Sequence, residues 1–214
     1  MSNELTLTSD FVKVLKERRS VRHYDPHVKI SRDELKEMLE LALTAPSSSN
    51  LQPWRFLIID DQELQEKLLP IANNQQQVRD ASAVIAVLGD LKSYEQAEKI
   101  YNRTAEAGFM SEEIKNAMIQ NSVRMYGGLA PERLHRINQF DAGLVSMQLM
   151  LVARAKGYDT VPMGGYNVEK FKEAFSVPET LEPALLIAIG KAAQPGHPSS
   201  RLTVDEVTYW NEFH

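Results

Sequence analysis

The segment from Pro131 to Gly157 constrains the fold more than any other, because it reads as one uninterrupted helix whose second half has almost no polar side. Proline suits a first helical position and glycine a stop, which sets the limits at Pro131 and Lys156. Such a helix is about 39 Å long at a rise of 1.5 Å per residue. Its first half is amphipathic, with Arg133, Arg136 and Asn138 among Leu134, Ile137 and Phe140. From Ala142 to Ala155 it is apolar almost all round, through Leu144, Val145, Met147, Leu149, Met150, Leu151 and Val152. A helix of that kind must be covered on several sides. It therefore lies in a domain core or in a subunit interface.

Shorter elements flank it. Phe11, Val14 and Leu15 recur at helical spacing. Ser31 and Glu34 are spaced as a capping box, Ile30 and Leu35 as a hydrophobic staple, and Leu35, Met38, Leu39 and Ala42 share one helical face. Pro46 ends that helix by pushing Ala45 out of the helical region. Trp54 to Ile59 reads as a strand, and Asp60-Asp61 as a cap for a helix carrying Leu64, Leu68 and Leu69. Ala83 to Leu88 and Ala184 to Ile189 are continuous apolar runs, the mark of buried strands. Tyr94 to Glu106 and Glu112 to Tyr126 are helical with weaker patterning, either a lid over a site or a peripheral pair. The tail ends with Val207, Tyr209 and Trp210, too apolar for open solvent, which predicts docking onto other surface, a second subunit included.

A chain of 214 residues can bury a real core and is read as a single domain, 1–214. Its net charge of −5 argues against non-specific nucleic-acid or membrane-surface binding, which needs a basic field. No cysteine is present, which removes disulfides, thiol catalysis and thiolate metal sites and suits a cytoplasmic protein. Met1 to Asp10 lacks the pattern of a signal peptide, and no apolar run reaches the roughly 18 to 20 residues of a membrane helix. The histidines His23, His27, His135, His197 and His214 show no metal-ligand spacing, so no metal site is expected. Motifs of acyl hydrolases, P-loop proteins and Rossmann domains are absent. Chains without obvious catalytic side chains often borrow chemistry from a cofactor.

Against that acidic background, Arg18-Arg19-Ser20-Val21-Arg22 packs guanidinium groups and a hydroxyl into one short stretch. In an extended backbone Arg18, Ser20 and Arg22 share one side while Arg19 points away. A helix would instead set the like charges of Arg18 and Arg22 on one face. The extended form makes a phosphate cradle of forked donors; the alternative is a solvated basic patch. Ser47 to Trp54 is a polar loop feeding a strand, a place for ligand contacts or a plain connector. Gly164-Gly165 follows a short apolar segment, where backbone can approach a flat ligand closely. Together these features suit a phosphorylated planar cofactor.

Three stretches, Glu17-Arg18-Arg19-Ser20-Val21-Arg22-His23-Tyr24, Ala45-Pro46-Ser47-Ser48-Ser49-Asn50-Leu51-Gln52-Pro53-Trp54 and Pro162-Met163-Gly164-Gly165, resemble the FMN-dependent nitroreductase family, and the likeness spans nearly the whole chain. The resemblance implies an α+β fold with a central mixed or antiparallel sheet surrounded by helices. It also implies a homodimer with an extensive helical interface, a lid-like segment at about 92–128, and a domain-swapped tail from about 191 to 214 that embraces the partner. FMN would be bound where the subunits meet. Arg18, Ser20 and Arg22 would hold its phosphate and ring edge, with Arg201 joining the phosphate. Pro46, Ser47, Ser48, Asn50 and Gln52 would supply the loop that reaches it from the partner. Asn74 and Gln77 would face the pyrimidine, and the turn of Pro162, Met163, Gly164 and Gly165 would place a backbone N–H against N5.

The sequence departs from the family at Gly164, where many relatives carry glutamate, at Gln77, where lysine is frequent, and at Ser199, which replaces a second tail lysine; Lys191 is the candidate substitute. The implied activity is ping-pong oxidoreduction. NAD(P)H delivers hydride to the flavin, and a nitroaromatic, quinone or related acceptor is reduced with no obligatory catalytic side chain. Tyr101, Phe109 and Tyr126 are candidate substrate contacts. The alternatives are a specialised member performing dehalogenation or other flavin chemistry, and a flavin store or sensor with little turnover.

Overall fold

The computed structural model describes residues 7–213. Most of the polar N-terminal stretch, and His214, therefore lie outside the described residues. In chain order the elements are α1 (Leu7–Glu17), α2 (Arg32–Ala42), β1 (Trp54–Ile59), α3 (Gln62–Leu68), α4 (Gln77–Asp80), β2 (Ala83–Asp90), α5 (Ala97–Glu106), α6 (Glu112–Gly127), α7 (Pro131–Ala155), β3 (Asp159–Met163), α8 (Val168–Ala174), β4 (Leu181–Gly190) and α9 (Val204–Val207). Short 3-10 turns occupy Ser48–Asn50 and Ser93–Gln96.

Local chemistry sets several boundaries. The Ser31 hydroxyl accepts from Glu34 N while the Glu34 carboxylate accepts from Ser31 N, so the capping box opens α2. Asp61 alone caps α3, accepting from Leu64 N at 3.0 Å. Asp60 instead takes a forked pair of bonds from Arg32 at 2.6 and 3.0 Å, which holds its carboxyl below the usual aspartate range. Pro131 occupies the first turn of α7, and the helix ends one residue earlier than the sequence predicts.

The sheet has the order β1-β2-β4-β3, with every named pair antiparallel. β2 is central and buried along nearly its whole length. Its side chains alternate. Ala83, Ile85 and Val87 join Ile187 and Ile189 of β4 in packing against Met38 and Ala42 of α2 and Val145, Leu149 and Ala153 of α7. Val84, Ala86 and Leu88, with Leu186 and Ala188, face Leu68 and Phe171 on the opposite side. A continuous apolar strand is what burial on both faces requires. A third cluster joins α5 and α6 through Ala97, Tyr101 and Tyr126 to Leu51 of the polar loop.

β3 carries Pro162, which a strand tolerates at a sheet edge. The arm after α1 runs beside it. Ser20 bridges Thr160 in parallel, Val21 N donates to Thr160 O at 3.1 Å, and Tyr24 bridges Ala192. No helix among the described residues is long and apolar enough to cross a membrane.

Gly89 of β2 lies under α7, where an added Cβ would stand 2.6 Å from Asn138 Cβ. We expect Gly89→Ala to destabilise the fold by roughly 1–3 kcal/mol, the scale of overpacking a dense core. The variant's urea midpoint should fall; an unchanged midpoint would mean that α7 can shift away.

Candidate active site

The arginine arm is extended, as its alternation predicts. Val21 and Tyr24 are buried, Arg18 and Ser20 are half-buried, and Arg22 is exposed. Tyr24 anchors the arm. Its hydroxyl donates to Ala188 O at 3.1 Å, and burial pushes its pKa far above the ordinary tyrosine value. Arg19 leaves the cluster and donates to the carbonyls of Lys16 and Arg18, at 2.5 and 2.9 Å, beneath the tail at Gly196. Among the described residues, Arg18 and Arg22 enter none of the ion pairs, whose arginines are Arg32, Arg55, Arg79 and Arg154.

Because the arm bridges Thr160, it lies beside the strand that leads directly into Pro162–Gly165. A second segment meets that turn. Asn73 Nδ2 and Gln75 Nε2 both donate to Gly165 O, at 2.9 and 3.0 Å. Asn73 and Asn74 take left-handed φ values of 56° and 54°. Gly164 is exposed, a Cβ there would meet nothing within 4 Å, and its N–H has no partner among the described backbone bonds. Unpaired guanidinium groups, a hydroxyl and a free backbone donor on an open turn fit a phosphorylated planar group.

Gln77 does not share that open side. It is only 5% exposed, and its amide donates to Gln75 Oε1 and Met163 Sδ. Asn73, Asn74 and Gln76 are the exposed polar side chains between Asn73 and Gln77. Lys191 donates to Gly157 O at 3.0 Å, and Arg201 bonds Ser199 Oγ and Ser200 O within its own tail. Tyr166, next to the turn, packs edge-on against Phe171, and burial pushes its pKa up to about 12.

The polar loop forms a separate half. Ser49, Asn50 and Gln52 take left-handed φ values of 49°, 51° and 47°, costly for residues other than glycine. The surroundings hold them there. Ser47 Oγ accepts from Gln52 N at 3.0 Å, and Gln52 Nε2 reaches Asn50. Asp141 of α7, fully buried, accepts from Ser48 N and Ser48 Oγ, each at 3.1 Å. Tyr101 donates to Ser49 O at 2.6 Å, and the Tyr126 hydroxyl lies 2.9 Å from Ser49 Oγ.

Tyr101 and Tyr126, expected from the sequence as substrate contacts, lie inside the fold. They are 2% and 6% exposed, because each ring fills the third cluster and each hydroxyl is committed to Ser49. Phe109, at 84% exposed, is the surface residue of the three. Sequence reasoning also passed over Asp141, Asn73 and Gln75. An acid at the start of an apolar helical stretch was the available signal for Asp141.

The two halves lie toward opposite edges of the sheet, the loop entering β1 and the arm bordering β3. Three strand spacings separate those edges, about 14 Å. Among the described residues no hydrogen bond joins Pro46–Gln52 to the arm or to the glycine turn.

Burial raises the Asp141 pKa, against the opposing bonds from Ser48. The folded carboxyl therefore holds its proton to higher pH than in the unfolded chain. Stability from this group is complete below the ordinary aspartate pKa of about 3.9 and declines as pH rises through the raised value. Asp141→Asn should be nearest the parent in stability near pH 7 and should lose ground as pH falls through the raised value and past about 3.9. Denaturation midpoints across that range check it, and a gap independent of pH would contradict it.

Residues 15–191 match the family model described as the nitroreductase family. The chain is 48% identical over 205 residues to YdgI of Bacillus subtilis (strain 168), which carries the name of an NAD(P)H nitroreductase, covering 95% of this chain and 98% of that one. It is 37% identical to the CLA biosynthesis enone reductase of Lactiplantibacillus plantarum, covering 88% of each. An Exiguobacterium sibiricum protein solved in complex with FMN superposes with a TM-score of 0.91 at 46% identity, covering 95% of this chain and 98% of that one. The chain belongs to the nitroreductase family and is an NAD(P)H-dependent oxidoreductase.

Proposed function

We propose that two copies of this chain form a homodimer that binds FMN between them, oxidises NAD(P)H and reduces a nitroaromatic, quinone or enone acceptor in alternating half-reactions. The observation that carries this reading is the division of the site. One copy presents the arm and the glycine turn on one sheet edge, and a ligand touching both halves needs the loop of a second copy. The FMN complex of the Exiguobacterium protein supports the cofactor, and the enone reductase name supports the third acceptor class.

Exposed apolar surface supports the dimer. Met147 on α7 is 39% exposed beside half-buried Leu144 and Leu151, and Phe11 and Leu15 on neighbouring α1 are 50% and 45% exposed. Trp210 and Phe213 in the tail are 81% and 83% exposed, which a partner's surface would cover. On this reading 1–214 is one domain, the tail from about 191 embraces the partner, and α5 and α6 form the lid side. Because their tyrosines hold Ser49, movement of that pair would be felt at the cofactor loop.

Bound FMN would supply the hydride-accepting ring. The chain's own residues bind, orient and exclude water. Arg18, Ser20 and Arg22 hold the phosphate and ring edge, with Arg201 as a further phosphate partner. The Gly164 N–H is the donor toward the ring, and Asn73 and Gln75 steady the turn from its far side by donating to Gly165 O. Pro46, Ser47, Ser48, Asn50 and Gln52 come from the partner, and Asn74 borders the ring.

Purified protein should be yellow, with a band near ~450 nm from bound flavin. NADPH or NADH should bleach it, and menadione or nitrofurazone should restore it. Colourless protein that takes up no FMN would end the flavin reading, and bleached protein that no acceptor reoxidises would favour a store. Arg22→Ala should weaken FMN binding by roughly 1.5–3 kcal/mol, the scale of a charged hydrogen bond, visible as flavin lost on gel filtration. Met147→Glu should shift the sedimentation coefficient to that of a monomer and release FMN with it; a monomer that keeps its flavin would refute a shared site.

A further inference from the structure

One basic pocket borders the cofactor loop at Ser48, and its two arginines have no part in the proposed flavin contacts. Arg133 and Arg136, one turn apart on α7, line a 410 Å³ pocket with Ser48, Ile137 and Phe140. Residues at this spacing share a helical face. Among the described residues neither guanidinium enters an ion pair, those pairs drawing on Arg32, Arg55, Arg79 and Arg154. Phe140 is 64% exposed. On a chain of net charge −5, two unpaired guanidinium groups beside an open aromatic ring concentrate positive potential where a planar, anionic ligand can enter.

We propose that this pocket receives the adenosine 2′-phosphate end of NADPH, making Arg133 and Arg136 the residues that favour the phosphorylated nicotinamide over NADH. A phosphate monoester carries about −1.5 to −2 charge near neutrality, matching two guanidinium forks. The purine lies one ribose away from that phosphate, within reach of a stacking ring such as Phe140. A lone carboxylate would use only one of the arginines, and inorganic phosphate would leave Phe140 without a ligand. The inference rests on the flavin reading, because Ser48 belongs both to this pocket and to the cofactor loop that Asp141 fixes.

The test is calorimetric titration of the FMN-loaded protein with 2′,5′-ADP and with 5′-AMP, alongside kcat/KM for NADPH and NADH. The parent should bind 2′,5′-ADP at least ~10-fold more tightly, and Arg133→Ala/Arg136→Ala should collapse that difference and lower the NADPH-to-NADH ratio by roughly 10- to 100-fold. Equal binding of both nucleotides by the parent overturns the proposal, as does 2′,5′-ADP binding no better than inorganic phosphate. A double variant that slows only a carboxylate-bearing acceptor such as 4-nitrobenzoate assigns the pocket to the acceptor and also overturns it. Loss of FMN or a smaller gel-filtration size in the variant places the arginines in cofactor or subunit contact and overturns it as well. Failure of the flavin reading shows separately, as a parent that takes up no FMN, and removes both.

Discussion

Packing of α7 across the sheet is the constraint on which the other features depend. Val145, Leu149 and Ala153 are fully buried against the inner side chains of β2 and β4. Full burial of a valine or leucine is worth roughly 1.5–3 kcal/mol, so the helix cannot slide without exposing that face. Everything else it carries is positioned by default. Asp141 grips the polar loop, Arg133 and Arg136 line the pocket beside it, and Arg154 at the far end pairs with Glu17 and Asp159, each at 3.1 Å. One buried stripe thus fixes the polar loop near one end and the root of the arginine arm near the other.

Rigid support matters because the loops it holds are strained. Of the seven non-glycine residues with positive φ among the described residues, five lie in the two candidate loops, at Ser49, Asn50, Gln52, Asn73 and Asn74. Left-handed backbone at such residues costs of order 1–3 kcal/mol and persists only where the surroundings over-determine it. Asp141, Tyr101 and Tyr126 do this for the first loop, and the grip of Asn73 and Gln75 on Gly165 O does it for the second. Strain concentrated at two places that the sequence also marks for ligand contact is what preorganised binding loops look like.

Much of this is legible in the sequence alone. The apolar runs of β2 and β4 announce strands covered on both faces, the capping box opens α2, and the ends of α7 follow from Pro131 and Gly157. Each is local, since hydrophobic period, caps and breakers act within a few residues. β3 was harder, being five residues long with a proline inside, and its strand character depends on β4 and on the arm beside it. Tyr101 and Tyr126 could not be sorted into core or substrate contact from their spacing. Their hydroxyl partners lie 52 and 77 positions away in the chain.

The sequence by itself determined which residue types could bind an anion and a flat ring, because charge, hydroxyl content and glycine are properties of the chain. It also placed the arm in extended form, through alternation and like-charge repulsion. Only the tertiary structure decided how those pieces group. The arm and the glycine turn share one sheet edge, the polar loop belongs to the other, Gln77 turns inward while Asn73 and Gln75 hold the turn, and Ser48 joins Arg133 and Arg136 at a pocket. Sheet order and helix packing arise from contacts between residues far apart in the chain, and no local period records them.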